Sequence, residues 1–230
     1  MNINPKIFKA YDIRGICPDE LNEEGAFRLG FAYKKLREND GASGYEAGKL
    51  KIVVAQDMRI SSYSLKKALI KGLTEAGLDV VDIGLSSTPT FYFAVARFGY
   101  DGGIMVSASH NPAKYNGFKL VREKAFPISG ETGINFMRDL IIENKFEKAI
   151  NPGVVEQMTG TLEEQIKHDF KYVDVSKIKP LKIVVDTANG MGAQYIEAMF
   201  AKLPCELVKM YFELDGSFPN HEADPLKKKI

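Results

Sequence analysis

The runs KIVVA at residues 51–55, DVVDI at 79–83 and GGIMV at 102–106 decide the fold. Each is a short apolar stretch bounded by polar residues, the form of a buried strand. Between the first two, Leu65, Ala68, Leu69, Gly72, Leu73 and Ala76 recur at helical spacing, and Gly77 is expected to close that helix. Between the second and third, Phe91, Ala94, Val95 and Phe98 form another stripe, with Thr88 expected as N-cap and Pro89 as the first helical residue. Strand, helix, strand, helix, strand is the order of right-handed crossovers, which makes the three strands parallel.

In open sheets of this kind, ligands collect beyond the carboxyl ends of the strands. Asp57, Arg59, Ser61 and Ser62 follow the first strand, Ser86, Ser87 and Thr88 the second, and Ser109, His110 and Asn111 the third. Three polar clusters are thus expected at one edge. Ser61, Ser62 and Thr88 read more readily as helix caps. Ser109 does not, since no helical periodicity follows it closely. It sits in ASHNP at 108–112, which leads into YNGFK at 115–119. A serine hydroxyl followed by Lys119, with Pro112 and Gly117 fixing the loop between them, points to a covalent carrier of an anionic group, phosphate foremost. His110 beside it invites a hydrolase reading with the histidine as base. Neighbours in an extended segment point in opposite directions and the Gly-x-Ser-x-Gly elbow is missing, so that reading is set aside. By position alone, Arg14 is as much a surface cation, and Lys119 as much a strand-edge lysine, as either is a site residue.

Elsewhere, Asn22 with Glu23 and Glu24 starts a helix with Leu29, Ala32, Tyr33 and Leu36 inward, and residues 39–49 read as a loop. Ile134, Met137 and Ile141 mark a further amphipathic helix. Asn151-Pro152-Gly153 reads as a linker, dividing the chain into domains at 1–150 and 151–230. A capping box at Thr161 and Glu164 is expected to open a helix with Leu162, Ile166 and Phe170 inward. The second domain shows two strands, Lys182 to Val185 and Glu206 to Phe212. DTANGMG at 186–192 departs from the dinucleotide fingerprint and reads as a tight structural turn before a helix carrying Met191, Tyr195, Ala198 and Met199. Two strands leave open edges, so residues past about 175 are expected to be less stable than the first domain or to self-associate. His168 and His221 have no second ligand at metal spacing and read as structural or solvated.

Composition excludes several classes. The 230 residues are 45% apolar, and 31 basic against 30 acidic side chains leave a net charge of +1, which argues against nucleic acid as a partner. Cys17 and Cys205 are too few for a disulfide framework, and a reducing, cytoplasmic location is expected. No segment approaches a membrane span and the N-terminus has no signal-peptide pattern. The lysines at 227–229 read as a solvated end.

FKAYDIRG at 8–15, ASHNP, YNGFK and DTANG at 186–190 together resemble, in order and spacing, the successive motifs of the α-D-phosphohexomutases, within them the phosphomannomutase/phosphoglucomutase branch. The resemblance implies an α/β fold: a mixed, mostly parallel sheet sandwiched by helices, followed by an incomplete second α/β domain of the same type. It implies an isomerase of carbohydrate metabolism, a phosphoprotein that interconverts hexose 1-phosphate and 6-phosphate, of mannose or glucose, through a hexose 1,6-bisphosphate. Ser109 would be carried as phosphoserine, Arg14 would contact the moving phosphate, and Lys119 would assist proton transfer at the attacking hydroxyl. His110 and Asn111 would hold the loop, with Asn111, Tyr11 and Arg59 as substrate or phosphate contacts. Magnesium would bind Ser109 as phosphoserine, but no Asp-Gly-Asp-Gly-Asp run supplies the remaining carboxylates. The resemblance thus describes a truncated chain, expected to be inactive alone. The alternative is a non-catalytic phosphosugar-binding or interaction module. Leu120-Val121-Arg122-Glu123 and Pro127-Ile128-Ser129-Gly130 lean toward the mannomutase branch by likeness.

Overall fold

A computed structural model describes residues 3–41 and 49–226; most of the loop expected at 39–49 and the lysines at 227–229 lie outside the described residues. The first sheet is built from β1 (Ile13–Ile16), β2 (Lys51–Gln56), β3 (Asp79–Leu85), β4 (Gly102–Val106), β5 (Tyr115–Arg122) and β6 (Val155–Gln157), in the order β1-β5-β4-β2-β3-β6. Strands β4, β2, β3 and β6 run parallel, while β5 is antiparallel to both β4 and β1. The three apolar runs are therefore the parallel centre of a mixed, mostly parallel sheet.

Side chains alternate across that sheet. Ile52 and Val54 point into one core with Ile104, Leu29, Leu65 and Leu69, beneath α1 (Glu23–Asn39), α2 (Ser62–Glu75) and α4 (Asn135–Glu143). Val53 and Ala55 point into the other with Val81, Met105 and Phe91, beneath α3 (Thr88–Arg97). Burial on both faces explains why these strands read as continuous apolar runs. No helix among the described residues is long and apolar enough to cross a membrane.

Helix starts depart from the sequence reading. Ser87, one residue before Thr88, is the cap of α3: its Oγ accepts from Thr90 N at 3.2 Å. Ser61 occupies the cap position of α2 but makes no side-chain cap bond, and Ser62 Oγ donates instead to Asp57. The capping box at Thr161 and Glu164 does not form. Gly160, at φ +80°, precedes α5 (Thr161–Asp169), and the buried Thr161 Oγ1 has no partner. Within α5, Ile166 is buried, while Leu162 and Phe170 are only half-buried.

Asn151-Pro152-Gly153 leads into β6, which pairs with β3 through Val80 and Val155, so the first sheet draws on residues allotted to the second domain. The strand was hidden because Val155, Glu156 and Gln157 are all exposed at the sheet edge and carry no alternation.

The second unit is a two-stranded parallel sheet of β7 (Lys182–Asp186) and β8 (Glu206–Met210), with α6 (Gly192–Phe200) between them. Strand β8 stops before the expected Phe212 because Tyr211 takes a left-handed φ of +54°. The turn after β7 spends its amides internally, as expected of a structural turn: Ala188 N donates to Asp186 Oδ1, Asn189 N to Tyr211 O and Gly190 N to Thr187 O.

Helices α1 and α2 approach closely at Gly30 and Gly72. A Cβ on Gly72 would run into Phe27 O, and one on Gly30 into Leu73 N. Backbone cannot move aside as a side chain can, so Gly72→Ala is expected to cost about 1–3 kcal/mol. Urea unfolding of the variant checks this; an unchanged midpoint would show that the helices part freely.

Candidate active site

The loop joining β4 to β5 carries Ser109. It turns on Asn111 N to Ala108 O and Tyr115 N to Pro112 O, at 3.1 and 3.0 Å. Ser109 itself has φ +55°, a left-handed conformation disfavoured for a residue with a Cβ. Both ends of its backbone are pinned. Its N–H donates to Ser107 Oγ at 3.0 Å, and its carbonyl accepts from Arg59 Nη2 at 2.8 Å. The residue is exposed at the carboxyl edge of the parallel strands.

Arg59 is the centre of this arrangement. Its Nη1 donates to Pro112 O and Tyr115 O, each at 2.9 Å, and its Nη2 to Asn111 O at 2.6 Å as well as to Ser109 O. Nε lies 3.3 Å from Asp57 Oδ2. Asp57 in turn accepts from Arg59 N and from Ser62 Oγ, and Asn116 Nδ2 donates to the hydroxyls of Ser61 and Ser62. These bonds give Ser61 and Ser62 a task other than capping. Burial pushes the guanidinium's pKa down, and the Asp57 carboxylate opposes that shift; arginine nevertheless stays charged. Expected as a substrate or phosphate contact, Arg59 is only 2% exposed and spends its Nη donors on the serine loop.

The antiparallel pair β1–β5 supplies the other cations. Arg14 faces Gly117 in the β1–β5 register, and Arg14 Nη1 donates to Asn111 Oδ1 at 2.8 Å. Its Nη2 pairs with Asp12, whose Oδ2 is also 4.0 Å from Lys119 Nζ. Lys119 is partly buried, which pushes its pKa below the ordinary lysine value; Asp12 pulls it up and Arg14 pushes it down. Asp12 thus joins the two cations, a role the sequence reading did not give it. The signal was present, since residues two apart on an extended segment share a face and Asp12 lies two before Arg14.

The remaining candidates are more loosely placed. Asn111 ties the loop to both arginines. Tyr11 is 81% exposed, its ring in solvent. His110 is exposed, with Nδ1 3.3 Å from Ser109 Oγ. The left-handed serine removes the extended geometry that was expected to separate these two side chains. No carboxylate orients the His110 ring among the described residues, so the pair lacks the third member of a hydrolytic triad. His168 packs between Phe93 and Tyr172, and His221 Nε2 lies 2.8 Å from Asp186 Oδ2.

All three polar clusters meet at one cavity of about 520 Å³, lined by Asp57, Ser87, Thr88 and Ser109 on the first sheet's side and by Gln165 and Phe218 on the other. Among the described residues no three Asp, Glu, His or Cys side chains gather at ligand spacing. Asp57 and Asp12, the nearby acids, are engaged with Arg59, Arg14 and Lys119. These residues do not by themselves fit magnesium, whose six-oxygen shell needs several fixed ligands.

The structure is thus an α/β protein with a parallel-centred sheet and a pinned, exposed serine at the carboxyl edge of its strands, where open sheets of this class bind ligands. The family models "Phosphoglucomutase/phosphomannomutase, alpha/beta/alpha domain I" and "domain II" match residues 5–148 and 162–230, and the chain belongs to this phosphohexomutase family. It is 44% identical over 228 residues to a phosphomannomutase of Escherichia coli, covering 95% of this chain and 47% of that protein. A Vibrio cholerae phosphomannomutase is 41% identical over 224 residues, with the same coverage of 95% and 47%. A crystal structure of a phosphoglucomutase/phosphomannomutase family protein from Burkholderia thailandensis superposes with a TM-score of 0.81 at 36% identity, over 98% of this chain and 48% of that one. The chain spans about half the length of the relatives it matches.

Removing Arg59 would leave Asp57 buried without its countercharge. Arg59→Ala is expected to lose about 3–5 kcal/mol in urea unfolding, and Arg59→Lys to recover only a minor part, because one ammonium cannot reproduce the planar fork. Full recovery by lysine would refute the assignment.

Proposed function

We propose that the chain provides the phosphoserine half of a phosphohexomutase, which interconverts the 1- and 6-phosphates of mannose or glucose. The observation that carries this reading is the exposed Ser109, its backbone pinned by Arg59 and Ser107 on a loop that Arg14 bonds through Asn111, with Lys119 and Arg14 sharing Asp12. Phosphoryl transfer asks for positioning and charge stabilisation more than for covalent work by the protein.

In the first half-reaction a free hydroxyl of the hexose phosphate attacks phosphorus. A sugar O–P bond forms, the Ser109 Oγ–P bond breaks, the hydroxyl proton passes to Lys119, and the departing Oγ takes up a proton from solvent. The hexose 1,6-bisphosphate then presents its other phosphate, and Ser109 Oγ gives its proton back to solvent and takes that group while Lys119 returns the other proton to the departing sugar oxygen. Arg14 offsets the charge on the moving phosphoryl group, and Asn111 keeps Arg14 aimed at the loop. Burial serves Lys119 here, because a lowered pKa brings an amine nearer to the range in which it can accept a proton. Mannose is favoured as the sugar by the names of the two bacterial relatives. Free thiols at Cys17 and Cys205 fit a cytoplasmic location. The open edges of the second sheet suit self-association, which sedimentation across a concentration series would detect.

Two measurements test the reading. After incubation with glucose 1,6-bisphosphate, mass spectrometry is expected to find one phosphoryl group on Ser109 and none in Ser109→Ala; an unlabelled parent chain would sink the proposal. Asp12→Asn removes the group that raises the pKa of Lys119, so that pKa falls further. The rate at which phosphorylated Ser109 discharges to a hexose phosphate should then begin its rise at lower pH than in the parent. A rise moved to higher pH would exclude Lys119 as the base.

A further inference from the structure

The second unit reaches back over Arg59. The ring of Phe218 lies on the guanidinium, 5.0 Å from its carbon to the ring centroid, and the residue is 9% exposed. Two residues earlier, Gly216 packs so tightly that a Cβ there would sit 2.6 Å from Arg59 Cα, 2.7 Å from Met58 O and 2.8 Å from Ile60 N. This segment is built to hold its place. Asn189, itself buried, donates from Nδ2 to Glu213 O at 2.9 Å and accepts from Asp215 N at 3.1 Å on its carbonyl and from Asn220 Nδ2 at 2.8 Å on its side chain. Asp215 Oδ1 accepts from both the N–H and the hydroxyl of Ser217. Phe218 is thereby held at φ +53°, a conformation that a bulky residue adopts only when its surroundings impose it.

We propose that Phe218 is a positioning residue for Ser109: its ring covers the face of Arg59, keeps water from the guanidinium's bonds to the serine loop, and so makes the loop's order depend on docking of the second unit. The face of an aromatic ring attracts a guanidinium without competing for its N–H donors. Dry surroundings on the arginine's side strengthen the four bonds to Ser109, Asn111, Pro112 and Tyr115 carbonyls, because water is kept from the donor. Phe218 also lines the cavity that Ser109 faces, so the same ring closes the wall between substrate space and Arg59. Its bearing on phosphoryl transfer rests on the function proposed above; its bearing on loop order does not.

The test is amide hydrogen exchange, read by mass spectrometry on the whole chain and on Phe218→Ala, Phe218→Leu, Phe218→Tyr and Gly216→Ala. Exchange in residues 107–116 is expected to quicken about tenfold in the alanine and leucine variants and in Gly216→Ala, with β2 and β3 unchanged, and to return to the parent rate in Phe218→Tyr. If Phe218→Ala loosens the whole chain, Phe218→Leu decides, since it fills similar space without an aromatic face. Parent-like protection of the loop in Phe218→Leu would overturn the proposal. Phosphorylation of Ser109 by glucose 1,6-bisphosphate should slow in step with loop exchange. Should the parent chain take up no phosphate, the proposed function fails while the exchange result still judges Phe218.

Discussion

Everything at the candidate site hangs on one buried cation. Arg59 leaves the turn after β2, crosses to the loop after β4, and gathers the carbonyls of Ser109, Asn111, Pro112 and Tyr115 on one planar group. A buried guanidinium is costly unless its donors are satisfied and its charge is matched. Here the four carbonyls satisfy the two Nη groups, and Asp57, 3.3 Å from Nε, matches the charge. The gain is conformational: a polar loop with few backbone bonds of its own holds Ser109 in a left-handed turn that would otherwise relax. An exposed hydroxyl on a rigid support is what group transfer requires, since positioning accounts for a large part of such catalysis.

Around that support the sheet arranges charge. The parallel strands deliver Asp57, Ser87 and Ser109 to one edge, as open α/β sheets do. The two antiparallel strands do something the parallel ones cannot. By pairing β1 with β5 directly, they set Arg14 beside the strand that carries Lys119, with Asp12 between the two cations. Asp12 keeps two positive groups from repelling each other apart and leaves Lys119 poised by its partial burial. The chain's first strand is thus tied, through Arg14 and Asn111, to a loop that lies far along the sequence.

Much of this was legible before any coordinates. The central strands and the helices between them announced themselves through apolar runs and helical spacing, because both faces of the sheet are covered. Ser109 stood out because nothing structural explained it. What escaped the sequence shares one cause: the behaviour of a polar group depends on its tertiary neighbours. Arg59 reads as a phosphate contact when taken as a loop cation, and only the fold shows it buried under Phe218. Thr161 and Glu164 satisfy the capping-box pattern, yet Gly160 bends the chain so that the box does not close. Strand β6 has three exposed residues and no pattern at all; its pairing with β3 is set by the edge it finds. Asp12 was within a quoted motif, but its role needs β5 beside it.

The division of labour between Arg59 and the two other cations is the central claim, and a crystal structure of the chain carrying phosphoserine at 109 tests it most directly. The account predicts Arg59 still bonded to the four loop carbonyls beneath Phe218, with phosphoryl oxygens turned toward Arg14 and Lys119. An Arg59 side chain swung out to the phosphate, or a loop in which residue 109 has left the left-handed region, would contradict it.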